Sequence, residues 1–124
     1  MPTLQISRLD PRAKLPQRKP NAEAFDIFAL NGGVLVPGEQ MTFRTGIACR
    51  VPQGFAGIIL PKARLALQHS VQMSLGAGII DGSFCNELLI QVRNLGERHF
   101  VVEPCDAIAQ LLLVEQPIVD LEEV

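Results

Sequence analysis

Proline and glycine punctuation limits this chain more than any other feature. With 9 prolines and 10 glycines in 124 residues, its apolar stretches are interrupted too often for long helices, because proline removes a backbone donor and glycine loosens the backbone. The segments between these breaks are short and alternate as strands do. Thr3 to Ile6 is predicted as a first strand. Pro11, Pro16 and Pro20 then make a basic, extended connector that cannot hold a helix. Alternation returns in Phe25 to Ala29, followed by a turn at Asn31-Gly32-Gly33. Val34 to Val36 runs into Pro37-Gly38, and Met41 to Val51 reads as one alternating stretch ended by Pro52-Gln53-Gly54. Ala56 to Leu60 reads as a buried strand that delivers Pro61. The only expected helix covers Ala63 to His69, with Pro61 just ahead of its start. Further strands are expected at Leu88 to Asn94, His99 to Val102 and Ala107 to Val114. The pattern predicts one all-β domain over residues 1–124, a jelly-roll or β-barrel with one short helix.

Charge and cysteine usage narrow the function classes. A formal net charge of −2 argues against a nucleic-acid binder, which normally carries a basic surplus. Arg8, Arg12, Lys14, Arg18 and Lys19 crowd the N-terminal part, while no Lys or Arg follows Arg98. Cys49, Cys85 and Cys105 show neither CxxC pairing nor metal-ligand spacing, so reduced thiols in a cytoplasmic compartment are expected. There is no apolar targeting region at the start and no run long enough for a membrane span. His69 and His99 have no Ser, Cys or second His at catalytic spacing and read as surface histidines.

The segment from Leu75 to Glu87 carries the clearest chemical signal. Gly76, Ala77 and Gly78 are small enough to let main-chain N–H and C=O groups approach a flat polar ligand. Two isoleucines, Ile79 and Ile80, are expected to be buried, and Asp81 follows them. A carboxylate at such a pocket is a candidate general base, and the ring of Phe84 a candidate stacking surface. On these residues alone a β-hairpin with a turn aspartate fits equally well.

The order of short segments along the chain resembles that of the trimeric dUTPases, which cut dUTP to dUMP and pyrophosphate. Four of that family's five segments have counterparts here. Glu23-Ala24-Phe25-Asp26-Ile27-Phe28-Ala29 is similar to the first, and Pro61-Lys62-Ala63-Arg64-Leu65-Ala66 to the second. Gly78-Ile79-Ile80-Asp81 with Phe84-Cys85-Asn86-Glu87 resembles the third, and Cys105-Asp106-Ala107-Ile108-Ala109-Gln110-Leu111 the fourth. The fifth, a glycine-rich tail bearing an arginine, has no counterpart before Val124. Each motif is weak alone, but four in order make a strong fold-level signal.

The resemblance implies a role for each matching position. Asp81 is implied as the base that activates water, and Gly76, Ala77 and Gly78 as the main chain that reads the uracil edge. Phe84 stands where the family has a tyrosine packed on the deoxyribose. Asp26 is implied to order the second segment and the metal-bound triphosphate, and Gln110 to contact phosphate oxygens. Mg²⁺ is expected to be held through the substrate's phosphates. The second segment departs from the pattern. Lys62 replaces an arginine and loses its bidentate fork. Ala63 replaces a serine and loses a hydroxyl, and Arg64 replaces a glycine. Arg64 would either obstruct the phosphate channel or supply the charge that the fifth segment brings.

Two readings follow from the resemblance. One is a dUTPase-like hydrolase with a weakened triphosphate grip, working as a cytoplasmic homotrimer on a deoxyuridine nucleotide. The other is a catalytically silent protein of the same fold that binds a nucleotide or a protein partner in a regulatory role. A related deaminase of dCTP would require a glutamate base and an arginine–serine-rich second segment, and neither is present.

Overall fold

The computed structural model describes residues 1–80, 82 and 86–124. The strands are β1 (Gln5–Arg8), β2 (Phe25–Phe28), β3 (Gly33–Leu35), β4 (Gln40–Arg44), β5 (Ile47–Arg50), β6 (Phe55–Pro61), β7 (Val71–Met73), β8 (Gly78–Ile80), β9 (Leu89–Asn94), β10 (Phe100–Val102) and β11 (Ala107–Glu115), and the helix α1 is Ala63–His69. Among the described residues all the strand pairings are antiparallel, in four sheets: β2-β11-β6-β8, β4-β9-β7, β1-β5 and β10-β3. The fold is therefore all-β with one short helix, and among the described residues the pairings do not join into a closed ring.

The helix lies where the sequence places it, and its ends have plain causes. Lys62 is its N-cap, with extended backbone and no side-chain cap bond. At the other end Ser70 turns left-handed (φ 56°) and gives its N–H to the Ala66 carbonyl. Only Leu65 is fully buried in α1, so a single side chain pins the helix to the core.

The predicted strand from Met41 to Val51 is two strands in different sheets. Gly46 breaks it, with φ of 71°. Its carbonyl accepts hydrogen bonds from the Leu9 and Asp10 N–H groups at 2.7 and 3.3 Å. A Cβ at Gly46 would lie 2.9 Å from that of Ala13, so both conformation and space demand glycine. The first strand lies two residues later than expected, because its register with β5 runs from Gln5 opposite Arg50 to Arg8 opposite Ile47. Strand β7 was not expected at all. Three residues between a helix and a glycine-rich turn are too few to show periodicity.

The main core gathers Ile27, Leu35, Phe43, Ile59, Ile90 and Leu111 among others. A second cluster of Ala13, Leu30, Ile47 and Cys49 lies under the N-terminal strand, bridged to the first by Leu4 and Leu88. Burial pushes the Cys49 thiol up to about 11, which keeps it protonated and inert.

Candidate functional site

Strand β11 runs between β2 and β6, and its alternation divides core from cleft. On one face Ile27, Ile59, Ala109 and Leu111 are buried in the main core. On the other, Asp26, Leu60, Lys62, Gln110 and Leu112 line a cleft of about 340 Å³, completed at its rim by Lys19, Ala22, Glu23 and Ala24 of the connector. Every lining residue on the three strands has an even number, as a two-residue period demands.

One irregularity makes this face what it is. Ala107 pairs with Phe28, but Ala109 pairs with Ile27, so Ile108 is an extra residue on β11. The bulge moves Asp26 from opposite Ala109 to opposite Gln110. On the other side Gln110 faces Leu60, with Lys62 two residues on. Three side chains from distant parts of the chain thereby share one surface. Lys62 Nζ donates to Asp26 Oδ1 at 2.6 Å, with the two side chains 23% and 14% exposed. At that exposure the charges are only partly screened, so each holds the other in place. Gln110 Nε2 donates to the Pro61 carbonyl at 3.1 Å, which leaves its other N–H for a ligand.

The remaining expected site residues have separate places. Ala63 and Arg64 are both exposed on the first turn of α1, and Arg64 is not among the residues that line the cleft. Gly76 has φ of 83°, with no atom within 4 Å of where a Cβ would stand. It is glycine because the turn closed by its N–H on the Met73 carbonyl (3.2 Å) needs that conformation, not because a neighbour presses on it. Ala77 is exposed, and Gly78 pairs with Ile59. Asp81 and Phe84, expected as base and stacking ring, lie outside the described residues.

The expected burial of both isoleucines needs correction. Ile79 is 82% exposed, while Ile80 packs against the main core. Strand β8 is an edge that pairs with β6, so one of two successive side chains turns outward. The chain leaves β7 at Ser74, whose N–H still bonds Gln91, crosses to β6 through β8, and returns at Leu88. A hollow of about 370 Å³ opens beside it, lined by Ile59, Met73, Leu75, Gly78, Ile80 and Ile90 among others.

The return is clamped by a group that sequence reasoning assigned no role. Glu87 takes the Arg44 guanidinium at 3.0 Å and the Gly46 N–H at 3.1 Å. Beside it the Thr45 hydroxyl donates to the Leu88 carbonyl at 2.6 Å, and Leu88 N–H donates to Ile47. The Arg44 hydrogen bond, aided by the Gly46 N–H, holds the Glu87 carboxyl below its ordinary value of 4.5. A carboxyl lowered on folding stabilises above its unfolded pKa, and that contribution is lost as pH falls through the folded one. Arg44 is 50% exposed, so solvent screens the pair and Arg44→Ala is expected to lower stability only slightly at neutral pH. The gap from wild type should shrink below pH 4.5 in urea titrations. A gap that stays constant from neutral to acid would show that the guanidinium acts by packing alone. No local pattern announces this pair, because 43 residues separate its members.

The basic connector is also fixed rather than free. Lys14 Nζ stands 4.2 Å from the Phe28 ring centroid, and the Arg18 guanidinium 5.2 Å from that of Phe25. His69 and His99 are exposed as expected, with the His69 ring 4.9 Å from Phe100.

Comparison with known proteins agrees with this arrangement. The sequence pattern of the dUTPase family matches residues 11–124. The deoxyuridine 5'-triphosphate nucleotidohydrolase of Syntrophotalea carbinolica is 39% identical, over 90% of this chain and 78% of its own. That of Mycobacterium tuberculosis is 36% identical, over 98% and 80%. Among solved structures, the dUTPase of Staphylococcus bacteriophage 80alpha superposes with a TM-score of 0.88 at 23% identity, over 98% of this chain and 96% of that one. A single-residue variant of the phage phi11 dUTPase, described with a structural Mg(II) ion, gives 0.88 at 21%, over the same shares. A pattern spanning nearly the whole sequence, relatives that match along most of their length, and three of four ordered segments meeting in one cleft all place this chain in the dUTPase family.

Proposed function

We propose that this chain hydrolyses dUTP to dUMP and pyrophosphate as a homotrimer in the cytoplasm, with Mg²⁺ bound to the triphosphate. The observation that carries the reading is the meeting of Asp26, Lys62 and Gln110 on one sheet face. Those residues suit a polyphosphate. Lys62 has three N–H donors and gives one to Asp26, while Gln110 keeps an amide N–H. Lys62 brings a point charge where the relatives' pattern has a fork, and Ala63 brings no hydroxyl, so the grip is weaker than the family's own.

The bond changes are simple. A water oxygen attacks the α-phosphorus, the bond from that phosphorus to the β-bridging oxygen breaks, and pyrophosphate leaves. Asp81 takes the water's proton. In this reading the ion arrives on the nucleotide, held by its phosphates rather than by a protein cage. Such an ion neutralises phosphate charge when bound. Among the described residues no helix is long and apolar enough to cross a membrane.

Pyrophosphate release from dUTP, with and without Mg²⁺, tests the proposal. Saturable, Mg²⁺-dependent release is the expected result. Saturable dUMP binding without release would favour the silent nucleotide binder. A chain that neither releases pyrophosphate nor binds dUMP would end the nucleotide reading altogether.

A further inference from the structure

Lys19 lies on the rim of the cleft that holds Asp26, Lys62 and Gln110. Its backbone is placed by its neighbours. Gln17 and Asp26 exchange two main-chain hydrogen bonds, at 2.7 and 3.3 Å, and Arg18 lies over the Phe25 ring. The Lys19 carbonyl accepts the Ala22 N–H at 3.1 Å, closing a turn in which Asn21 has φ of 64°. That turn brings Ala22 and Glu23 back to the same rim. The side chain of Lys19 is a flexible stem with a point charge at its end.

The charges of the cleft show what that ammonium can do. Lys19 and Lys62 stand against Glu23 and Asp26, so the lining is formally neutral. Lys62 is bonded to Asp26 on the floor, at 2.6 Å. Among the described residues Lys19 makes no ion pair, whereas Arg64 is exposed on α1, outside the cleft lining. An anion entering here meets one cation already engaged by a carboxylate and a second, at the rim, that is not.

We propose that Lys19 binds the pyrophosphate portion of the nucleotide, the part a monophosphate lacks. The inference rests on the dUTP reading above. Floor and rim cations then act on different parts of one polyphosphate: Lys62 deep in the cleft, Lys19 at its outer end. Glu23 on the same rim sets a limit to the gain, since it repels the same phosphates.

The test compares Lys19→Ala and Lys19→Arg with the unaltered full chain. It measures steady-state dUTP hydrolysis with Mg²⁺, and binding of dUMP and of a non-hydrolysable dUTP analogue. Because Lys19 is exposed, its truncation leaves the core untouched, and an unchanged Tm verifies this. For Lys19→Ala, the KM for dUTP and the Kd of the analogue should rise about fivefold, as one partly screened charge contact allows. The Kd for dUMP should stay as it was. Lys19→Arg should restore most of the loss, and the difference should fade at high ionic strength. Equal weakening of dUMP and analogue, or no change in either, overturns the assignment while the dUTP reading stands. If the unaltered chain takes neither nucleotide, that reading fails and the assignment falls with it.

Discussion

Asp81→Asn is expected to lower pyrophosphate release from dUTP by about 10²–10⁴-fold while leaving saturable dUMP binding in place. The exchange keeps the size and the acceptor oxygen of the side chain but removes the negative charge that draws a proton from water. Ground-state contacts to the nucleoside need no such charge, so binding and turnover should separate. Release by the variant at the unaltered rate would strip the general-base role from this position. Loss of dUMP binding together with release would instead make Asp81 part of the nucleoside pocket.

Asn94 is expected to be the most sensitive polar position of the fold. Its side chain is fully buried at the end of β9. The amide donates to the carbonyls of Leu35 (3.0 Å) and Arg98 (2.7 Å), and its oxygen accepts the Gly96 N–H at 2.9 Å. One residue thus joins strand β3 to the turn that follows β9. Asn94→Leu would leave three groups without partners, at about 1–3 kcal/mol each before relaxation, and a loss of about 3–5 kcal/mol is expected. For a domain of ordinary stability that is a large share of the total. Asn94→Asp should lose a similar amount at neutral pH, because a carboxylate would face two carbonyl oxygens. Its folded pKa would be raised, so its deficit should shrink as pH falls and the carboxyl regains a hydrogen. The leucine variant should show no such recovery. Urea unfolding at matched protomer concentration measures both, and values within about 0.5 kcal/mol of the unaltered chain would remove Asn94 from this role.

Legibility in the sequence followed range. Helix α1 and strands β2, β6, β9 and β11 lie where periodicity, glycine and proline place them, within a residue or so, because these signals act over a few positions. Asp26, Lys62 and Gln110 were found only through the family resemblance, since nothing near any one of them in the chain mentions the other two. Their meeting depends on strand register, a long-range property. The same holds for Arg44 with Glu87, and for the connector that sets Lys19 beside the cleft. Where local reasoning misled, the cause was again distant. Gly46 splits a strand because residues 9 and 10 bond to its carbonyl, and Ile79 turns outward because β8 has a neighbour on one edge.

The extra residue Ile108 has a consequence for how this protein can change over time. Strand β11 holds one residue more than β2 needs there, so a codon lost between Ala107 and Ala109 can be taken up by straightening the strand. Gln110 would still face Asp26 and Leu60, and the loss would fall on the core that Ile108 helps to fill. Beyond Gln110 there is no such slack, because β11 and β6 pair one to one as far as Glu115. A codon lost in that stretch would exchange the dry and wet faces of everything after it. A length change before the amide should therefore cost core packing but keep the cleft, whereas one after it should invert the strand's two faces.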